Sequence, residues 1–309
     1  MIQKKNKTIF VILIIIITIS IISIYLAPKI CGNYDSYTDF KYPDEILVKL
    51  NRYTECHPKD IESMLRLAYD YSTKHEYEKA DTLLLNILQK EPGYTLAVYL
   101  RGIVMIEQFQ FPEAVELFKD ILLDNENNHR ALLFLSRIYF VYDHQQSLKY
   151  AKKATKAADD FFMELDTLAE EYEPLNFMFY KRWENMVAEF DTKFEDDPAA
   201  ASLEIMEYLI STPLKIELCK NALNTNNPSD PQKMQELLER MGMLYTEVGM
   251  NEEAINTYKT LIETTPTYGR GYILLADRSI KTNNLTLIDE LYDDIQKQQG
   301  LEIEKDIID

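Results

Sequence analysis

The sequence predicts an all-α fold, a stack of helical hairpins behind one N-terminal transmembrane helix, and three observations predict it. Ala80 and Ala114 lie 34 residues apart in matching surroundings, and Ala254 repeats the setting; a fixed period of this length marks a helical repeat. Apolar residues around each alanine recur at three- and four-residue steps, the spacing of one helix face. An unbroken apolar run precedes the first repeat.

Ile9 to Ala27 holds nineteen residues without a charge, mostly isoleucine. At about 1.5 Å per residue that run approaches the thickness of a bilayer core. A cleavable signal peptide has a shorter apolar region and a small-x-small cleavage site. Here Leu26, Ala27 and Pro28 follow instead, so an uncleaved anchor is expected. Lys29 and Ile30 likewise spoil a lipoprotein-processing site at Cys31. Lys4, Lys5 and Lys7 precede the span, and only Lys29 follows closely before Asp35 and Asp39. The positive-inside bias then leaves residues 1–8 in the cytoplasm and the rest of the chain beyond the membrane. The expected location is the inner (cytoplasmic) membrane, crossed once, with the repeat domain periplasmic or otherwise extracytoplasmic.

Residues 28–60 read as a linker and a short helix starting near Pro43, proline being favoured at a first helical position. An N-terminal array follows over 61–155. Its first copy, from Ile61, carries Met64, Leu67, Ala68 and Tyr71 on one helix and Ala80, Leu84 and Ile87 on the next, and Pro92 stops the second helix. The second copy, from Thr95, gives Val98, Gly102, Met105, Ala114, Phe118 and Ile121, with Arg101 where an apolar residue is usual. The third, from His129, keeps Leu135, Ser136 and Tyr139, then loses one residue, so that Ser147, Ala151 and Ala154 form the second stripe.

Between 156 and 231 the period fails in an irregular helical segment, the most aromatic part of the chain, with Phe161, Phe162, Phe177, Phe179, Tyr180, Trp183, Phe190 and Phe194. Such a cluster is either core that compensates for irregular stacking or a surface that faces a partner. The polar tract Asn224 to Pro231 is turn-forming. A C-terminal pair of repeats occupies 232–300: the fourth copy supplies Met241, Gly242, Tyr245, Gly249, Ala254, Tyr258, Leu261 and Pro266, and the fifth Leu275, Ala276, Ile288, Tyr292 and Ile295. Residues 301–309 form an acidic tail.

These residues resemble the tetratricopeptide repeat family over roughly 61–155 and 235–300. The resemblance implies a right-handed superhelix of stacked helix pairs and a concave peptide-binding groove, and it names no partner. It also implies that positions 2, 5, 9 and 12 of each first helix face that groove. Here those positions include Leu65, Tyr69, Tyr99, Ile103, Arg130, Leu133, Arg137 and Phe140. Relatives that clamp a peptide carboxylate use lysine and asparagine at places where this chain has Leu65, Tyr69 and Leu100, so that mode is not expected. A mixed aromatic and arginine lining suits an extended or helical apolar segment bearing an acidic residue. The plain alternative is that these side chains only pack the inner face.

The chemistry of a catalytic or metal site is not evident. His57, His75, His129 and His144 fall at no metal-ligand spacing and beside no nucleophile. Cys56 and His57 are adjacent, but Tyr53 stands where a haem-attachment motif needs its first cysteine. Eight glycines in 309 residues leave no phosphate-binding loop. Acid pairs such as Glu170 and Glu171 read as solvated helix faces. The net charge is −18, and the four lysines of residues 1–30 raise the remainder to −22, a balance that repels nucleic acid. Neither enzymatic activity, a cofactor, a metal nor a small-molecule substrate is expected. Cys31, Cys56 and Cys219 allow three pairings in an oxidising compartment, and Cys31 with Cys56 would tether the segment before the first repeat.

The function this supports is a membrane-anchored scaffold that binds proteins during assembly of an envelope complex. The alternative is a permanent structural or accessory subunit of a large membrane complex that handles no client. The topology has a direct readout: protease added to cells with a permeabilised outer layer should digest residues 31–309, and protection of the repeats would overturn the orientation.

Overall fold

The computed structural model describes residues 43–166, 175–209, 211–225 and 230–297. The span expected at 9–27, together with Cys31 and the tail 301–309, lies outside the described residues. Among the described residues no helix is long and apolar enough to cross a membrane. The described chain forms fourteen helices and no strand. It divides into two compact units, Met1–Val104 and Met105–Asp309.

The first unit contains α1 (Pro43–Cys56), α2 (Ile61–Thr73), α3 (Tyr77–Lys90) and most of α4 (Thr95–Glu107). Helix α1 starts at Pro43, as its sequence predicts. Asp60 caps α2 by accepting from the Ser63 amide at 3.3 Å, satisfying a donor that the helix itself leaves free. Met64, Leu67, Ala68, Ala80, Leu84 and Ile87 are all buried, with the two alanines fully so. Leu50 of α1 seals the open side of this hairpin, and the Tyr71 hydroxyl donates to Asn51 Oδ1 at 3.3 Å. Arg101, the polar intruder in the second copy, reaches Asp81 on α3 at 2.8 Å. Cys56 is disulfide-bonded, and because Cys219 is free its partner lies outside the described residues.

The second unit continues with α5 (Phe111–Asp124), α6 (His129–Phe140), α7 (His144–Asp166), α8 (Leu175–Asp196), α9 (Pro198–Met206), α10 (Thr212–Leu223), α11 (Pro231–Glu247), α12 (Asn251–Thr264), α13 (Gly269–Lys281) and α14 (Leu285–Lys297). Prolines sit in the first turn of α5, α9, α10 and α11, where a missing amide costs no hydrogen bond. Asn128, Asp197 and Asp230 cap α6, α9 and α11 with their side chains. Cys219 is fully buried in α10, and burial pushes its thiol up to about 12, so it stays protonated and unreactive.

The period is also written in the backbone. His75, Phe109, Gly249 and Asn283 have φ of 60°, 61°, 77° and 55°, and each stands fifteen residues into its repeat. At each of these turns the next amide reaches back five residues: Glu76 to Tyr71 O at 2.9 Å, Gln110 to Met105 O at 2.8 Å, Met250 to Tyr245 O at 2.9 Å and Asn284 to Ser279 O at 2.8 Å. This left-handed closure caps the first helix and turns the chain into the second. Three of the four residues are not glycine, and each bears about 1–2 kcal/mol of steric cost for that φ. The third hairpin, one residue shorter, lacks the left-handed residue and closes with Asp143 N on Tyr139 O at 2.6 Å.

The fifth pair differs from expectation by one residue. Tyr272, Leu275 and Ser279 are buried in α13, but on α14 the buried residues are Leu287 and Leu291, whereas Tyr292 is 63% exposed. Among the described residues no further pair follows α14.

Gly242 and Ala254 show why small residues recur. A Cβ at Gly242 would overlap the ring of Tyr258, which is 2% exposed. Gly242→Ala should therefore destabilise the C-terminal pair by about 1–3 kcal/mol despite alanine's better helix propensity. Urea unfolding checks this, and a variant as stable as the parent would refute the close packing of α11 on α12.

Candidate functional site

In the first unit, α2 and α4 are the first helices of consecutive repeats, and a cavity of about 540 Å³ opens between them. Leu65, Tyr69, Tyr99 and Ile103, all expected at the groove from their repeat positions, line it together with Glu62, Arg66, Leu96 and Leu100. The wall is mainly apolar. Tyr99 and Leu100 are buried and form the floor, whereas Tyr69 and Leu96 stand 51% and 49% exposed at the mouth. Two large apolar side chains thus stand about half in water at the edge of one cavity. The Arg66 guanidinium lies 5.9 Å from the Tyr69 ring centre and within 3.2 Å of Asp70 on its own helix. The cavity can take apolar side chains, and one charged group at its rim can meet an acid.

The remaining expected groove residues lie in the second unit, on α6, and their surroundings differ. Arg130 is exposed, but Leu133, Arg137 and Phe140 are buried at 7%, 4% and 0%. Helix α8 covers Arg137 and Phe140. Phe140 meets Trp183 and Phe190 edge-on at 5.5 and 4.7 Å. The Trp183 indole donates to Ser136 Oγ at 2.9 Å, and Tyr180 OH pairs with His129 Nδ1 at 2.7 Å. Burial, with the charge of Arg130 beside it, holds the His129 imidazole below its usual range, so it is neutral at neutral pH.

Arg137 sits over two ring faces, 5.0 Å from Phe179 and 5.8 Å from Trp183. Its Nε is buried without a hydrogen-bond partner. Burial pushes the guanidinium down to about 10, which still leaves it charged at pH 7. Stacking on aromatic faces replaces part of the lost hydration. The expectation that Leu133, Arg137 and Phe140 line an open groove is thus corrected. The signal was present in α8, where Tyr180, Trp183, Val187 and Phe190 fall at helical spacing and are all buried. Of the two readings of the aromatic middle, these four are core, while Phe161 and Phe179 remain 44% and 36% exposed.

A second cavity of about 400 Å³ was not read from the sequence, because its walls come from four helices. Lys215 of α10, Arg240 of α11 and Arg278 and Lys281 of α13 line it with Glu247 and Asp277. Arg278 donates to Asn251 Oδ1 at 2.9 Å, and its Nε is buried without a partner. Among the described residues, no group of three histidine, cysteine or carboxylate side chains is placed to hold a metal ion.

Four helix pairs, each closed by a left-handed residue at the same step of the repeat, decide the architecture. The fold is a tetratricopeptide-like repeat. No family model and no curated protein matches the sequence. Among solved structures, the chain is similar to a tetratricopeptide repeat protein from Parabacteroides merdae (13% identity over 91% of this chain and 94% of that one, TM-score 0.36). It is also similar to MamA 41-end from Desulfovibrio magneticus (12%, 72% and 85%, TM-score 0.34). A third is the TPR2AB domain of yeast Sti1 in its pHSP90 complex (12%, 76% and 88%, TM-score 0.34).

The covering of α6 has a measurable consequence. Arg137→Glu puts a carboxylate against aromatic faces and should cost about 3–5 kcal/mol, whereas Arg137→Met keeps the volume without the charge and should cost about 1 kcal/mol or less. Equal stability of the two variants in urea would show that the side chain is not enclosed.

Proposed function

We propose that this chain is a membrane-anchored, extracytoplasmic repeat scaffold that binds an apolar segment of a partner protein in the cavity between α2 and α4 during assembly of an envelope complex. The observation that carries the reading is the pair Tyr69 and Leu96, half exposed at the mouth of an apolar cavity whose floor is Tyr99 and Leu100. A tyrosine in this setting buries much area when covered and is of a type enriched among the residues that dominate binding energy, while Leu96 adds apolar area beside it. Arg66 gives such a segment one directional contact, to an acidic residue about a helical turn from its apolar anchor. The anchor rests on the uncharged run Ile9 to Ala27, and the outward orientation rests on the lysines before it. No catalytic role is proposed.

A photoreactive residue in place of Leu96, in the full chain in its native membrane, tests this reading. Its crosslinks should map to an apolar stretch carrying an acid. Tyr69→Ala should cut their yield about tenfold, the equivalent of about 1.4 kcal/mol of contact, with unchanged thermal unfolding. Crosslinks that map to polar loops, or a yield indifferent to Tyr69, would overturn the reading. Gentle detergent extraction separates scaffold from subunit: variable, substoichiometric partners belong to a scaffold, and a fixed ratio belongs to a permanent subunit.

A further inference from the structure

Residues 105–309 carry 39 Asp and Glu against 20 Lys and Arg, so acids there outnumber cations about two to one. Lys119, Lys181, Lys193, Lys220 and Lys233 each pair with a glutamate at 3.2 Å or less. Four lysines of α7 depart from this. Lys149, Lys152, Lys153 and Lys156 are all exposed, and among the described residues none of them forms an ion pair or hydrogen bond. Asp159 and Asp160 follow Lys156 at the spacings that pair most easily on a helix, yet they do not close on it.

Steps of three, one and three residues put the four ammonium groups in one row, about 10 Å long at the helical rise. The row is fixed by what lies behind it. Ala151, Ala154, Ala157 and Ala158 are buried, and Thr155 donates to Tyr180 O at 3.3 Å, which leaves the lysines facing away from α6 and α8. Four like charges on adjacent turns repel one another and weaken the helix slightly. The row therefore adds nothing to the fold.

We propose that Lys149, Lys152, Lys153 and Lys156 form a docking surface for an acidic segment of a partner protein whose carboxylates recur at helical spacing. Charge complementarity carries this, and the shape of the row selects the partner. A flat anionic bilayer would meet Asp159 and Asp160 at the same time as the lysines, with like charge against like. A narrow acidic helix meets the row alone. The surface is independent of the apolar cavity on α2 and α4, so either can fail without the other.

The test uses the full chain in neutral detergent and a fluorescent synthetic peptide, helical, with glutamates at steps of three, one and three residues. Fluorescence anisotropy should show binding that weakens about tenfold or more between about 50 and 300 mM salt, since these charges are exposed and screened. Replacing all four lysines by glutamine should weaken binding at least about tenfold, and replacing all four by arginine should restore it. Circular dichroism melting of the glutamine variant should match the parent, and the paired change Lys149→Gln with Lys153→Gln gives an intermediate loss if the four-fold variant misfolds. Peptide binding unchanged in the glutamine variants would overturn the proposal. So would lysine-dependent binding to phosphatidylglycerol vesicles without binding to the peptide, which would make the row a membrane contact.

Discussion

Hairpins in this chain close on residues too small to hold their neighbours apart. Ala68 and Ala80 in the first hairpin, Ser136, Ser147 and Ala151 in the third, and Gly242 and Ala254 in the fourth lie where two helices approach, and the alanines and serines among them are inaccessible to solvent. The close approach lets larger groups on the flanks, such as Leu84, Ile87 and Tyr258, seal against the partner helix. Without it each helix would stand off by the width of a side chain, and each hairpin would lose the apolar contact that offsets the entropy of ordering two helices. The left-handed turn serves the same constraint, because it delivers the second helix at the angle that brings the small residues together.

That constraint explains what could be read from one sequence. Small residues at a fixed step, with apolar residues three and four positions around them, mark the first, second and fourth hairpins; the stripes of the first and fourth are buried where the period places them, whereas in the second Ala114 and Phe118 are buried as placed but Val98 and Met105 are only partly covered, and Ala97, Leu100 and Val104 are buried instead. The third was also legible, because a one-residue loss moves its stripe without destroying it: Ser147, Ala151 and Ala154 are buried as the shifted register requires. The last pair was misread on its second helix, where Tyr292 is exposed and Leu287 and Leu291 are buried. Sequence spacing tells which residues share a face. It does not tell which of those faces the last described helix turns inward.

The candidate groove was half legible for a related reason. Repeat position placed Leu65, Tyr69, Tyr99 and Ile103 around one cavity, since the two helices that carry them are consecutive in the repeat. The same rule applied to α6 assumes an open face. Helix α8 occupies it with Tyr180, Trp183 and Phe190, so an arginine that looked like a ligand contact is held between Phe179 and Trp183. A guanidinium tolerates this place because it keeps its charge and stacks flat on a ring, whereas an ammonium, more strongly hydrated, would lose more. The cationic cavity among α10, α11 and α13 was invisible because no local pattern joins residues 215, 240 and 278.

Trp183 is the only tryptophan in the sequence, and it lies 1% exposed between α8 and α6 with its indole donating to Ser136. Ser136 in turn bonds Ser147 on α7, so one ring and two hydroxyls tie three helices together. Indole emission from this protein is thus a local signal. It follows the seating of α8 and would shift toward the red as soon as water reached that joint. An unfolding curve recorded by that light describes one contact, and comparison with a probe of total helix content would show whether the two compact units come apart together or in turn.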